Sequence, residues 1–438
     1  MSERRDLVLL AVAVCVAVQV AYVARSVPLQ SANDRSRWAT IRALVEDDTY
    51  VIDRLQTDRT DRSWSTIDVV RHERDGETHF YSTKPPLMPT LVAGLVGGIE
   101  RTIGLSLAAD TTQATRLVLL LVNAVPMAVA LWLIGRLALH FVDGAFGPAV
   151  VVLAAGIGTM HLPFVASLNN HTIALWATAI ALAASHRFHV SDDANTQRLA
   201  AATAGLFAMW ACCNELPAAL FGLTLFGWFL RENWKRTLLW FAPAALVPLA
   251  GFFWTNYEAT GGWKPFYMYY GTEKYEYVYE GRPSYWMDPQ GIDANRDDSL
   301  TYAMHCLVGH HGLFSLTPVL LVAVAGAFLW RRHPSRWLRF WAVAAGLLTA
   351  AVFAFFMTRT ENYNYGGVSV ALRWMLWLTP LWAILMMAAL KAATSRWLRA
   401  IVSLLLAVSI ASAMECGANP WQHNWLFLAM EQAGWIAY

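Results

Sequence analysis

The chain has 438 residues, of which 57% are hydrophobic and 15% charged, with a mean hydropathy of +0.38 and a formal net charge of +2. A soluble domain carries about 25% charge, so the composition excludes a water-soluble globular protein. The near-neutral balance, with no basic arm or tail, excludes nucleic acid as a partner. Five cysteines are scattered without a Cys-x-x-Cys pair, which excludes both a structural zinc motif and a disulfide framework. Cys306 and Cys416 fall on the same predicted side, where a bridge could form; two unrelated thiols is the simpler reading.

The first apolar run, about 7–23, follows Met-Ser-Glu-Arg-Arg. That is the layout of a signal peptide, but no small-x-small cleavage site follows, so it reads as an uncleaved first helix. Runs of spanning length recur at roughly 7–24, 112–134, 146–163, 172–186, 199–213, 216–230, 237–254, 312–330, 337–357, 374–391 and 397–414. The pair at 199–213 and 216–230 is short and separated by Asn214-Glu215 alone, so it could instead form one re-entrant element. The fold class expected is an all-α polytopic membrane protein of about 11 transmembrane helices, organised as a single unit over 1–438.

Charge orients the bundle. With the N-terminus inside, Arg4-Arg5, Arg136, His186-Arg187, Arg231 and Arg236, Arg331-Arg332, and Lys391 with Arg399 all fall in cytoplasmic connections, as the positive-inside rule requires. A first outer loop then covers 25–110 and a second 255–311. Shorter outer pieces lie at 162–171, 214–215 and 358–373, and the C-terminal tail is outside. Within the first loop Trp38, Ile41, Leu44 and Val45 recur at i, i+3, i+6 and i+7, one apolar face of a helix lying along the membrane surface. The glycine-bearing stretch 87–105, broken by Glu100-Arg101, reads as a second such helix.

Several polar groups in these outer segments could carry chemistry. Asp34 precedes the first surface helix, where it could be its N-cap. If Asn33 caps instead, Asp34 beside Arg37 is free to act as a general base just above the bilayer. Lys84 precedes Pro85-Pro86, which suits a helix start; a lysine at a helix N-terminus can bind phosphate or simply snorkel. Arg373 stands on the side the positive-inside rule leaves poor in cations, close to Glu361, Tyr365, Gly366 and Gly367. It could hold an anion or pair with Glu361. Tyrosines crowd 267–285, forming an interfacial belt or a platform for sugar rings and headgroups. His305, His310 and His311 do not share one helical face, so a divalent metal there is a weak expectation. Asn170, His171 and Glu215 are further outer polar groups.

The stretch Asp34-Arg35-Ser36-Arg37-Trp38-Ala39-Thr40-Ile41, followed by Tyr81-Ser82-Thr83-Lys84-Pro85-Pro86-Leu87, resembles the first outer loop of GT-C glycosyltransferases. The nearest likeness is to protein O-mannosyltransferases and lipid A aminoarabinose transferases, which typically read Asp-Glu-x-Arg-Tyr-Ala-Glu-Ile and then Tyr-x-Lys-Pro-Pro-Leu. Tyr365-Gly366-Gly367 with Arg373 also resembles an outer loop of bacterial members. The resemblance implies a GT-C-like bundle in a bacterial inner membrane, with the active site outside. It also implies a polyprenyl-phosphate sugar donor and inversion at the anomeric carbon. Asp34 would be the general base, and Lys84, Arg37 and Arg373 would hold the donor phosphate. Tyr81, Asn170, His171, Glu215, Glu361 and Tyr365 would line the substrate. The acceptor class (lipid, glycan or protein), the sugar and the use of a metal stay open. Arg35 stands where the family usually has Glu, which puts acceptor binding and metal use in doubt. A transporter would need ionisable residues in mid-membrane and internal repeats, neither of which is visible. A catalytically inactive GT-C-like subunit is the other alternative, and Arg35 is its best support.

Overall fold

A computed structural model of the chain describes residues 2–359, 364–391 and 395–438. The apolar runs fold into helices: α1 (Ser2–Arg25), then, after a long connecting segment, α4 (Thr111–Phe141), α5 (Phe146–Ile157), α6 (Asn170–Val190) and α7 (Ala194–Asn214). The series continues through α8 (Ala219–Arg236), α9 (Ala242–Thr260), α11 (Leu320–Leu329), α12 (Arg336–Met357), α13 (Thr379–Leu390) and α14 (Arg396–Glu415). Among the described residues, six helical stretches are long and apolar enough to cross a membrane. One of them, Leu216–Thr260, is 45 residues long and takes in two of the predicted runs, α8 and α9. Others fall short for physical reasons. At 12 residues, α5 extends about 18 Å, less than the ~30 Å hydrocarbon layer. The short runs at 199–213 and 216–230 do not form one re-entrant element: α7 is a 21-residue helix and α8 a separate one of 18.

The stretch Arg373–Leu390, which contains α13, is the axis of the bundle, 94% of it buried. It packs against α5, α6, α11 and α12. Close approach here depends on small residues, as in membrane bundles generally. A Cβ on Gly326 of α11 would lie 1.9 Å from the Leu385 carbonyl oxygen, so α11 can meet α13 only with glycine there.

The connections segregate by end. At one end Arg4 donates to the Leu139 and Val142 carbonyls, His333 Nε2 meets the Phe141 carbonyl at 3.1 Å, and Glu232 pairs with His189 at 3.0 Å and Arg336 at 3.1 Å. These are the segments predicted to be cytoplasmic. At the other end lie the segments predicted to be outside. There Gln30 donates to the Ala418 carbonyl at 2.9 Å, His72 Nε2 meets the Thr260 carbonyl at 2.8 Å, and Asn424 donates to the Val370 carbonyl at 2.9 Å.

The two predicted surface helices exist as α2 (Ala32–Glu46) and α3 (Leu87–Ile103). α3 buries Leu87, Met88, Val92, Val96 and Ile99 on one face while Leu91 and Ile103 are exposed. α2 departs from expectation, because its polar residues Asp34, Ser36, Arg37 and Thr40 are buried along with Trp38 and Ile41. It lies between α3 and a feature the sequence reading missed, the antiparallel hairpin β1 (Val69–Arg74) and β2 (Glu77–Ser82). The hairpin turns on Asp75-Gly76, both with positive φ (55° and 86°), the backbone that favours Asp-Gly in a two-residue connection. α10 (Ser299–Leu307) and α15 (Trp425–Gln432) complete the same end.

Candidate functional site

A cavity of about 500 Å³ opens between the first loop, the tyrosine-rich loop and the segment after α12. Its lining includes Arg37, Asp68, Lys84, His171, Glu215 and Arg373. Each reaches the cavity through a local feature of the chain. α2 starts at Ala32 because Ser31 is its N-cap, the Ser31 hydroxyl accepting the Asp34 N–H at 3.1 Å. Neither Asp34 nor Asn33 caps, correcting both sequence alternatives. Arg37 follows one turn on, 3% exposed; one guanidinium nitrogen donates to the carbonyl and side-chain oxygens of Asn33, the other to Asn170 Oδ1 at 2.5 Å.

The hairpin delivers the next pair. Val69 faces Ser82 in register, so Asp68 and Thr83 leave the two strands side by side, with Lys84 next along the chain. Lys84 Nζ lies 2.9 Å from Asp68 Oδ2, with side chains 15% and 12% exposed. The helix after Pro85-Pro86 begins at Leu87, so Lys84 stands ahead of it and is paired with Asp68.

α6 supplies the third group. Asn169 is its N-cap, accepting the Thr172 N–H at 2.8 Å, which sets Asn170 and His171 on the first turn. Both donate to Glu215 Oε1, Asn170 at 2.7 Å and His171 through Nδ1. On the far side His171 Nε2 accepts from Arg373 at 3.3 Å. These contacts assign the neutral tautomer with the proton on Nδ1, and they join Arg37 to Arg373 through Asn170, Glu215 and His171. Arg373 is further fixed by donation from Nε to the Gly366 carbonyl at 3.1 Å and by the Trp421 ring 5.2 Å beneath it. The turn that offers that carbonyl needs glycine. Gly367 has φ +64°, and a Cβ there would sit 2.7 Å from Asp293 Oδ1.

The electrostatics follow from enclosing several charges. Burial, with Arg37 and Arg373 nearby and Asp68 opposing, pulls the Lys84 ammonium down to about 8. Burial and then Arg373 lower Arg37 to about 10. Burial raises the Glu215 carboxyl to about 8 against the pull of Arg373 and Arg37. Burial first, and then the three cations, hold His171 well below the ordinary imidazole range, so it is neutral. Three cations that repel one another in one cavity are a site that gains by binding an anion.

Asp34 does not line the cavity. It is 2% exposed, and its two oxygens each accept a backbone N–H, from Leu168 at 3.0 Å and Gln30 at 3.2 Å. Burial raises its carboxyl to about 6, opposed by those two N–H groups and by Arg37. Its geometry is that of a pin between the start of α2 and the segment before α6.

Other predicted residues separate as follows. Tyr81 is 3% exposed and packs on Phe266, with ring centroids 5.5 Å apart, away from the cavity lining. Tyr365 is fully buried, stacked on Tyr302 at 4.5 Å with its hydroxyl donating to Asp297 at 2.6 Å. Neither lines the cavity, because each is used in packing. Glu361 lies outside the described residues. His305, His310 and His311 do meet: the rings of His305 and His310 stack 4.2 Å apart, His310 Nδ1 lies 2.5 Å from His311 Nδ1, and His310 Nε2 meets the Tyr438 hydroxyl at 3.0 Å. Among the described residues no group of three or more His, Cys, Asp or Glu is disposed to hold a metal. Arg35, where the resembling family has Glu, donates to the Leu29 carbonyl at 2.8 Å, so a cation stands at that position. Cys306 and Cys416 are both free.

Tyr267, Tyr270, Tyr275 and Tyr285 of the tyrosine-rich segment line the cavity, and so do Asp68, Asp293 and Trp421, which carry no motif in the sequence. Asp68 had a usable signal, since the Asp-Gly turn flanked by strand residues brings position 68 beside 83 and 84.

No family model matches the chain, and no curated protein sequence does. Three solved structures resemble it. ArnT from Cupriavidus metallidurans in the apo state superposes with TM-score 0.50 and 18% identity, covering 88% of this chain and 59% of that one. The same enzyme bound to undecaprenyl phosphate gives TM-score 0.53 and 17% identity, with coverage of 93% and 64%. The archaeal oligosaccharyltransferase AglB from Archaeoglobus fulgidus, in complex with an inhibitory peptide and a dolichol-phosphate, gives TM-score 0.50 and 12% identity, with coverage of 96% and 56%. The chain thus spans about three fifths of the length of these neighbours. Both are GT-C glycosyltransferases, and the chain shares their all-helical membrane fold.

Proposed function

We propose that this GT-C-fold protein moves a sugar from a polyprenyl-phosphate donor to an acceptor at the outer face of a bacterial inner membrane, inverting the anomeric carbon. The observation that carries the reading is the convergence of Arg37, Lys84 and Arg373 on one cavity. Two come from the first loop and one from the start of the buried axial stretch. The N-terminus lies in the cytoplasm in this reading, which leaves these three cations where topology alone does not call for them.

The leaving group explains the placement. When the bond from the anomeric carbon to phosphate breaks, the polyprenyl phosphate keeps its electron pair and gains charge, yet stays anchored in the bilayer. Cations that meet it must stand at the membrane surface in a partly dry pocket, where fixed positive charge stabilises developing charge most. Arg37 and Arg373 can each offer a guanidinium edge to phosphate oxygens, and Lys84 a point charge. The aromatic wall of Tyr267, Tyr270, Tyr275, Tyr285 and Trp286 suits a sugar ring. The undecaprenyl phosphate and dolichol-phosphate held by the two neighbours support a lipid phosphate as the ligand class.

Asp34, the base implied by the first-loop resemblance, is better suited to hold the segment before α6 against α2, and so to fix Arg37 relative to Asn170 and His171. The acceptor class is a lipid, glycan or protein presenting a hydroxyl or amine. Membranes containing the chain, supplied with radiolabelled polyprenyl-phosphate sugars, test the reading. Transfer of label that is lost in Arg37→Gln and Arg373→Gln is expected. Wild-type membranes that transfer label from no such donor would overturn it.

A further inference from the structure

Three carboxylates line the cavity: Glu215 is held by Asn170 and His171, Asp293 by the Tyr285 hydroxyl, and Asp68 lies on a cation the phosphate would need. Asp68 sits at the exit of β1. Its backbone is clamped on both sides: the N–H donates to Thr66 Oγ1 at 3.1 Å, and the carbonyl accepts from Ser36 Oγ at 2.7 Å and the Thr83 N–H at 3.3 Å. The side chain is therefore aimed, and in the protein alone it is aimed at Lys84 Nζ, 2.9 Å away. Asp34, by contrast, already accepts two backbone N–H groups outside the cavity lining.

Resting on the function proposed above, we propose that Asp68 is the general base, held on Lys84 until the donor phosphate claims that lysine. The ion pair makes the sequence of events ordered. With no donor bound, the carboxylate is occupied by Lys84. A donor phosphate drawn by Arg37 and Arg373 competes for the same ammonium, and Asp68 loses its counter-charge in a partly dry site. An anion left without its partner there becomes a stronger proton acceptor. It then faces the acceptor's hydroxyl or amine. The nucleophile's lone pair forms the new bond to the anomeric carbon, and its proton passes to Asp68. The bond from that carbon to the phosphate oxygen breaks with its electron pair, leaving polyprenyl phosphate on Lys84, Arg37 and Arg373. Base activation thus waits for donor occupancy, which would guard the donor against attack before it is seated.

The test is Asp68→Asn in the full chain reconstituted in lipid, read in two ways. Affinity for polyprenyl phosphate is measured directly, and label transfer is measured at saturating donor. The expected result is unchanged or several-fold tighter lipid-phosphate binding, because a competing anion is gone, with transfer reduced at least 100-fold, within the range general bases contribute. Asp68→Glu should recover part of that transfer. Transfer by Asp68→Asn within tenfold of wild type would overturn the assignment and leave the proposed function standing. So would parallel loss of lipid-phosphate binding and transfer, which would make Asp68 a support for Lys84. Wild type inactive with every donor would remove the proposed function, and this assignment with it.

Discussion

Replacing Lys84 with Gln isolates the charge at the centre of the phosphate site. The amide can still donate to Asp68, so the hairpin exit stays joined, but the ammonium is gone. In the native chain Lys84 has 15% of its side chain exposed and lies 2.9 Å from its partner, so screening by solvent is weak. Hydrogen bonds to charged groups contribute about 1.5–3 kcal/mol, and each 1.4 kcal/mol is about tenfold in affinity. Polyprenyl phosphate should therefore bind the variant roughly 10- to 150-fold more weakly. Equilibrium binding of the lipid phosphate to protein reconstituted in nanodiscs reads this directly. The unfolding midpoint of the unliganded variant should fall, because Asp68 loses its counter-charge in a weakly screened site, so binding is compared on protein shown to be folded at the assay temperature. A change in affinity below about threefold, with the fold intact, would refute the assignment of Lys84 to the phosphate.

pH gives an independent handle. Burial pulls the Lys84 ammonium down to about 8, so lipid-phosphate affinity should hold at neutral pH and decline as pH rises through 8 and the ammonium deprotonates; affinity measured from pH 6.5 to 9.5 that stays flat contradicts this. Arg373→Lys replaces a fork reaching both the Gly366 carbonyl and His171 Nε2 by a single point charge; an affinity loss of about 5- to 30-fold is expected, against a loss no smaller for Arg373→Gln. Gly367→Ala must accommodate φ +64° and a Cβ 2.7 Å from Asp293 Oδ1. It should destabilise the chain by about 1–3 kcal/mol, visible as a lowered unfolding midpoint in detergent.

The bundle was legible because membrane helices announce themselves by apolar length, and basic residues by the end to which they go. Arg4 and His333 do meet the α4–α5 connection, and Gln30 and His72 meet the opposite end. Arg37, Lys84 and Arg373 stood out as cations in the segments expected outside, and all three line one cavity. The roles of neighbouring residues were not legible. Ser31 and Asp34 lie within three residues of each other, yet Ser31 caps the helix while Asp34 accepts the Leu168 N–H, 134 positions away. Tyr81 and Tyr365 look like ligands in a string of polar letters, yet both are spent on packing. Asp68 carries no motif of its own and acquires meaning only from the register of a hairpin. Of the expected runs, α5 is a helix of only 12 residues, shorter than the bilayer is thick.

The most direct measurement is an experimental structure of the chain with polyprenyl phosphate in a lipid environment. The phosphate is expected within hydrogen-bonding reach of Arg37, Lys84 and Arg373, with Lys84 drawn from Asp68. A phosphate bound elsewhere, with the Lys84–Asp68 pair undisturbed, would contradict it.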